Sequence, residues 1–339
     1  MLLHTRQGQA DFMKAANEKM ILKQTAVLGG LASDSKEVRC LNRIVRFVQP
    51  PYSSPDQAYL EWEPDPRHLE ILMKELSLKT ESKGLGQPGA RRDKHSDDTP
   101  LPEDQITPYR SNAMRVMYVS HDRIDLQFAG KELARDMSCP TTWSTAQLKR
   151  VVRYMHGAGR LCQQFRQQVK PERLVVYSDS DFAGCTKSRK STTGTCIFHG
   201  LHMVKSSSKT QSVLSLSSGE AEFYAAVSSV SSALGMKSLL VDFGVELEKA
   251  ILVKVDSTAA LGMAGRRGAG TVRHIHTPCL WLQQAVAKGL VKMEKEPGES
   301  NLADICTKPV NQKSLHVALK ACGYKVLEGK SKLALDASI

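Results

Sequence analysis

The second half of the chain is predicted to fold as an α/β sheet: an antiparallel strand meander continuing into parallel strands joined through helices. Three observations predict it. From about residue 171, short β-branched runs alternate with helical patterns in the order β-β-β-α-β-α-α-β-α. Two of the runs end in aspartate, at the strand ends where α/β sheets tend to carry functional side chains. Residues 79–105, rich in glycine, proline and charge, read as a linker or exposed loop, with a helical stretch between it and this half.

The chain of 339 residues is long enough for two domains and a sizeable core. A hydrophobic share of 41% with 24% charged residues is ordinary for a globular protein. The net charge of +12 favours a polyanionic partner, nucleic acid above all, and the 6% aromatic content points to contact by charge and shape more than by stacking. Eight scattered cysteines with no CxxC pair argue against a zinc ribbon and a disulfide framework, and suit reduced thiols in a cytoplasmic or nuclear compartment. No secretory signal is visible and no run of 18 apolar residues occurs, so no membrane partner is expected.

In chain order, LNRIVRFV (41–48) reads as an apolar helix or strand, and DPRHLEILMKELSL as a helix with Leu69, Leu72, Met73 and Leu76 on one face. Residues 107–137 read as a helix broken near His121 and Asp122. TTWSTAQLKRVVRYMHGAG reads as a second helix, opened by hydroxyl caps and closed by glycines. RLVVYSDSD then gives a strand, GTCIFHG and HMVKSSS a hairpin, and GEAEFYAAVSSVSSALGMKSLLVDFG a long helix. ILVKVD is a strand, STAALGMAG and WLQQAVAKG are helices, LVKMEKE is a strand, and ESNLADICTK starts a helix.

The carboxylates carry the chemistry. Asp179 and Asp181 end the first strand and Asp256 ends ILVKVD; Glu220 and Glu222 stand on the long helix and Asp304 near a late helix start. Buried carboxylates at a sheet end cost several kcal/mol each unless a cation neutralises them, and Mg²⁺ takes a few carboxylates plus water and phosphate oxygens. Glu220 and Glu222, two apart, diverge by about 200° on a helix and cannot both serve one point.

The order Asp, helical Glu, strand-end Asp-Ser, late Asp resembles the ribonuclease H family. In detail it resembles the ribonuclease H of copia-type (Ty1-like) retrotransposon Pol polyproteins, through YSDSDFAGCTKSRKSTTGTCIF, SLSSGEAEFYAA, KVDSTAAL and ESNLADICTKPV, over roughly 175–310. The resemblance implies a ribonuclease H-like mixed sheet with helices on both faces. It also implies a metal-dependent endonuclease that hydrolyses the RNA strand of an RNA–DNA hybrid. The metal ligands and catalytic residues would be Asp179, Glu222, Asp256 and Asp304, with Asp181 the near alternative to Asp179. Glu222 is preferred to Glu220 because EFYAA matches the family's run. Two Mg²⁺ ions about 4 Å apart, or Mn²⁺ in their place, would activate water and stabilise the leaving oxygen. Contacts to 2′-hydroxyls fall to Ser178, Thr193, Ser217, Ser218 and Gln211. Contacts to phosphate fall to Lys187, Arg189 and Lys190 in CTKSRKSTTG, and to Arg273, His274 and His276 in TVRHIHTP.

The chain departs from the family pattern in two places. The loop EKEPGESN lacks the histidine many relatives carry there, and a tryptophan common in the family hairpin near KSSSKTQ is replaced by serine. The first half resembles the end of a copia-type reverse transcriptase and its connection, a mainly helical truncated thumb and connection segment. No Tyr-x-Asp-Asp tetrapeptide occurs, so no DNA synthesis is expected. The expected division is 1–105 reverse-transcriptase end and linker, 106–168 helical connection, 169–315 ribonuclease H, and 316–339 C-terminal helix and tail. Other Pol segments are expected partners. Two alternatives remain: a transposon remnant that binds nucleic acid without cutting, and an integrase or transposase, against which Asp304 in place of a late glutamate speaks.

Overall fold

The computed structural model describes residues 6–21, 23–52, 54, 57–92, 98–270, 272 and 274–329. After helix α1 (Arg6–Asn17), strands β1 (Glu37–Cys40), β2 (Arg43–Val48) and β3 (Tyr59–Glu63) form an antiparallel meander. Helices α2 (Arg67–Glu75), α3 (Glu103–Ser120), α4 (Gln127–Arg135) and α5 (Thr142–Ala158) follow, then strand β4 (Arg160–Arg166). The Thr141 hydroxyl caps α5, accepting from Ser144 N, and Gly159 ends it at φ +65°, a left-handed conformation that glycine adopts without strain.

The predicted α/β half appears in the predicted order. It comprises β5 (Leu174–Asp181), β6 (Thr192–His199), β7 (His202–Thr210), α6 (Ser218–Asp242), β8 (Ile251–Val255), α7 (Thr258–Gly265), α8 (Trp281–Ala287), β9 (Val291–Lys295) and α9 (Gln312–Ala321). The sheet order is β7-β6-β5-β8-β9, antiparallel from β7 to β5 and parallel from β5 to β9. This is a ribonuclease H-like mixed sheet. Alternation along β5 divides its side chains between two cores. Leu174 and Val176 pack with α6, α7 and α8 through Phe223, Ala260 and Leu282. Val175 and Tyr177 pack on the other side with residues of α3, α4, α5 and α9, so helices cover both faces as expected.

The first half holds more than helices. Strands β1 to β4 are joined by β10 (Tyr324–Leu327) in a second five-stranded sheet, order β1-β2-β3-β4-β10, antiparallel throughout. The helical expectation is met by α2 to α5 and corrected by this sheet, of which only β2, within the helix-or-strand segment 41–48, had a counterpart in the sequence. Its centre buries charge: Arg46 and Arg160 both pair with Glu63, and Gln164 donates to Glu61. The late acidic segment, expected as a helix start, is a 3-10 turn, Leu302–Cys306. Helix α6 is long and apolar enough to cross a membrane by length and composition, yet it lies under the sheet with Glu220 and Glu222 buried on it. All eight thiols are free, five of them buried.

Candidate active site

Asp179 lies near the end of β5, Glu222 in the first turns of α6, and Asp256 directly after β8, and the fold brings them together. One carboxylate oxygen from each lies within 4.8 Å of the others, the only such group of three possible metal ligands among the described residues. Asp304, on the 3-10 turn, lies outside that group of three but near enough for its charge to raise the Asp179 carboxyl. That turn is pinned to the sheet. Asn301 Oδ1 accepts from Ala303 N, and Asn301 Nδ2 donates to the Ser178 carbonyl at 3.0 Å. The Thr307 hydroxyl donates to Asp179 Oδ2. Gly194 on β6 makes this approach sterically feasible: a Cβ there would stand 2.6 Å from the Ala303 carbonyl and from Thr307 Cγ2. On the other side, hydroxyls of Ser178, Ser229 and Thr195 hydrogen-bond in a buried chain that ties α6 to β5 and β6.

The electrostatics follow from this crowding. Burial, then the charge of Asp304, raises the Asp179 carboxyl to about 6 against the opposing Thr307 hydroxyl and Lys308. Burial, then Asp179 and Asp256, pushes Glu222 up to about 9, although Glu222 Oε1 accepts from Ser180 N at 3.0 Å. Burial and Asp179 also raise Asp256, against Lys295 and Lys308. Two buried oxygens, Glu222 Oε2 and Asp304 Oδ1, have no hydrogen-bond partner among the described residues. Orphaned acceptors of this kind cost about 1–3 kcal/mol each. An all-carboxylate donor set with unfilled lone pairs suits a hard divalent cation. The residues present therefore fit Mg²⁺ or Mn²⁺.

The structure separates the two glutamates of α6. Glu220 is fully engaged away from the cluster: it accepts from Leu216 N at 2.8 Å, Tyr224 Oη at 2.8 Å and His274 Nε2 at 3.0 Å. Burial would raise its carboxyl, but these donors outweigh burial and hold it below its ordinary value. Asp181 lies beside the cluster, raised by burial and eased first by Arg91.

The expected nucleic-acid contacts divide. Lys187 and Arg189 are exposed and Lys190 half-buried on the loop between β5 and β6, with Lys187 Nζ 3.5 Å from Asp136. Ser217 and Ser218 are exposed at the start of α6, where Ser217 caps the helix. Gln211 is a correction. It is buried, and its Nε2 is shared among Ser180 Oγ, Thr193 Oγ1 and the Ala221 carbonyl, so it braces α6 against the sheet and has no donor left for a ligand. Ser178 and Thr193 are likewise buried and hydrogen-bonded within the protein. His274 is half exposed but bound to Glu220, and exposed His276 donates its backbone N–H to Tyr224 Oη. Arg273 lies outside the described residues.

Sequence reasoning missed Asn301, Thr307 and Lys308. Lys308 carried a legible signal: it follows Asp304 by four residues, a spacing that brings side chains together on one face, and its Nζ sits 2.9 Å from Asp304 Oδ2.

No protein-family model matches the chain. Over 220 residues it is 30% identical to the retrovirus-related Pol polyprotein from transposon RE2 of Arabidopsis thaliana, a match covering 63% of this chain and 15% of that protein. Over 218 residues it is 27% identical to the Pol polyprotein from transposon TNT 1-94 of Nicotiana tabacum, covering 64% of this chain and 16% of that one. Among solved structures, an N-terminal RNase H domain from Mycobacterium tuberculosis aligns over 44% of this chain and 97% of its own at 15% identity and a TM-score of 0.30. The chain is a homologue of the retrovirus-related Pol polyproteins of copia-type transposons, and it spans about 15% of the length of these Pol polyproteins.

Proposed function

We propose that this chain is a metal-dependent endonuclease that hydrolyses the RNA strand of RNA–DNA hybrids. The observation that carries the reading is the convergence of Asp179, Glu222, Asp256 and Asp304, with two buried oxygens left unpartnered. Two divalent cations, when bound, would supply an activated water and neutralise charge on the leaving 3′ oxygen. The chain's residues do the rest. Asp179, held by Thr307, links the set: one of its oxygens lies within 4.8 Å of oxygens of Glu222 and Asp256, and the charge of Asp304 acts on it as well. Without a cation, the crowding that raises Glu222 to about 9 keeps a proton on it at neutral pH, whereas Asp179, raised only to about 6, is mostly ionised there; Glu222 would give up its proton to serve as a ligand. Site assembly is therefore linked to proton release.

Substrate recognition falls to the rim. The loop bearing Lys187, Arg189 and Lys190 leaves the same β5 end that carries Asp179, placed to pair with phosphates. Exposed Ser217 and Ser218, two turns or less from Glu222 on α6, are the remaining hydroxyls for 2′-OH contacts. On this reading residues 169–315 are the nuclease and 106–168 the connection that braces it. The test is incubation of the full chain with a labelled RNA–DNA hybrid in Mg²⁺ or Mn²⁺. Cleavage of the RNA strand, lost with EDTA and in Asp179→Asn, is the expected result. Hybrid binding without cleavage in either metal overturns the proposal.

A further inference from the structure

We propose that Lys308 is a positioning residue that acts as the site's internal counter-cation: its ammonium holds Asp304 in the metal-free protein and gives way when a divalent cation binds. The inference rests on the metal-site reading above. Among the described residues, no other ammonium or guanidinium lies within 4.0 Å of any of the four carboxylates; Lys308 Nζ is 2.9 Å from Asp304 Oδ2. The other nearby lysine, Lys295, donates to the backbone carbonyl of Asp256, leaving that carboxylate to the cluster. The charge of Lys308 reaches further than its hydrogen bond, acting on Asp179, Asp181 and Asp256 as well.

The backbone sets this up. Lys308 N–H donates to the Asp304 carbonyl at 3.2 Å, so the turn places the two side chains on one face. Thr307, one residue earlier, fastens the same turn to Asp179. The Lys308 side chain is one-third exposed, so its ammonium has a path to solvent. Asp304 Oδ1 meanwhile stays buried and unpartnered. The ammonium thus covers one oxygen of Asp304 and leaves the other aimed into the protein. A divalent cation on Asp304 would stand a few ångströms from that ammonium, and like charges at such range repel strongly in a half-buried site. The two cations compete for one carboxylate. Loading then frees an ammonium at the mouth of the site.

The test is direct Mn²⁺ titration of the full chain by electron paramagnetic resonance, with thermal melting in EDTA beside it. Lys308→Met removes the charge and keeps the stem. It is expected to bind Mn²⁺ about three- to tenfold tighter than wild type and to melt lower in EDTA. Lys308→Arg, which keeps a cation, is expected to stay close to wild type in both. Lys308→Gln repeats the measurement if the methionine variant does not fold. Unchanged or weaker Mn²⁺ binding in the neutral variants overturns the proposal. Absence of Mn²⁺ binding in wild type overturns it together with the metal-site reading. Neither readout needs cleavage, so a chain that binds Mn²⁺ but leaves hybrid intact sinks the nuclease reading alone.

Discussion

Replacing Asp179 by asparagine should stabilise the protein when metal is absent and destabilise it relative to wild type when metal is present. Asp179 is 2% exposed and sits among three other carboxylates. Its carboxyl rises from 3.8 to about 6, driven by burial and then by Asp304. A carboxyl raised on folding binds protons more tightly in the folded state. Its stability contribution is complete below pH 3.8 and is lost as pH climbs through 6. At pH 8 the ionised group therefore costs about 3 kcal/mol. Asparagine removes that cost and keeps an oxygen for the Thr307 hydroxyl. In EDTA at pH 8, Asp179→Asn should melt about 5 °C above wild type, and the gap should close by pH 4. Saturating Mn²⁺ should reverse the order, since ligand at about 1,000 times its Kd adds about 4.1 kcal/mol to the form that binds it, more than the cost that asparagine removes. Differential scanning calorimetry from pH 4 to 9 reads all of this. A variant that melts lower than wild type in EDTA at every pH would refute the argument that the cluster stores electrostatic strain.

Other outcomes follow from single residues. Glu222→Gln should abolish cleavage with the fold intact, whereas Glu220→Gln should retain cleavage and lose stability. The Glu220 carboxyl is held low in the folded state, so its contribution fades as pH falls through its ordinary range; comparing melts at pH 7 and pH 4 checks this. Gly194→Ala should push the Leu302–Cys306 turn off β6, costing about 1–3 kcal/mol in urea unfolding and weakening Mn²⁺ binding through Asp304. Replacing Lys187, Arg189 and Lys190 together by alanine should lower hybrid affinity and flatten its salt dependence by up to about three phosphate contacts, measured by fluorescence anisotropy, with Mn²⁺ affinity unchanged.

The mixed sheet was legible because its central strands β5, β6 and β8 carry apolar or β-branched runs bounded by turn residues. Asp179 and Asp256 were legible for the same reason, as charges at the ends of buried strands. Helical geometry alone told only that Glu220 and Glu222 point apart; it was the resemblance that selected Glu222, and the structure explains the other glutamate by its three donors. Gln211 was misread because a polar residue between hairpin and helix looks exposed in sequence, while here its amide fills a gap between three acceptors. The second sheet left little trace. Its strands β1, β2 and β4 carry arginines and a glutamate, and β3 carries Glu61 and Glu63, so paired charges in its interior replace the apolar alternation that marks a strand. Its last strand is contributed by residues 324–327, which pair with residues 160–163, a separation no local pattern reveals. Lys308 escaped notice since a lysine after an acidic turn usually marks a solvated face.

The central claim is that four carboxylates act as one metal-dependent catalytic set on hybrid substrate. Single-turnover cleavage of a labelled RNA–DNA hybrid in Mn²⁺, run on Asp179→Asn, Glu222→Gln, Asp256→Asn and Asp304→Asn beside wild type, tests it most directly. The account predicts RNA-strand cleavage by wild type and a loss of 100-fold or more in each variant (~3 kcal/mol of barrier apiece). Wild-type rates in any of the four, or no cleavage by a wild-type chain that binds both metal and hybrid, would contradict it.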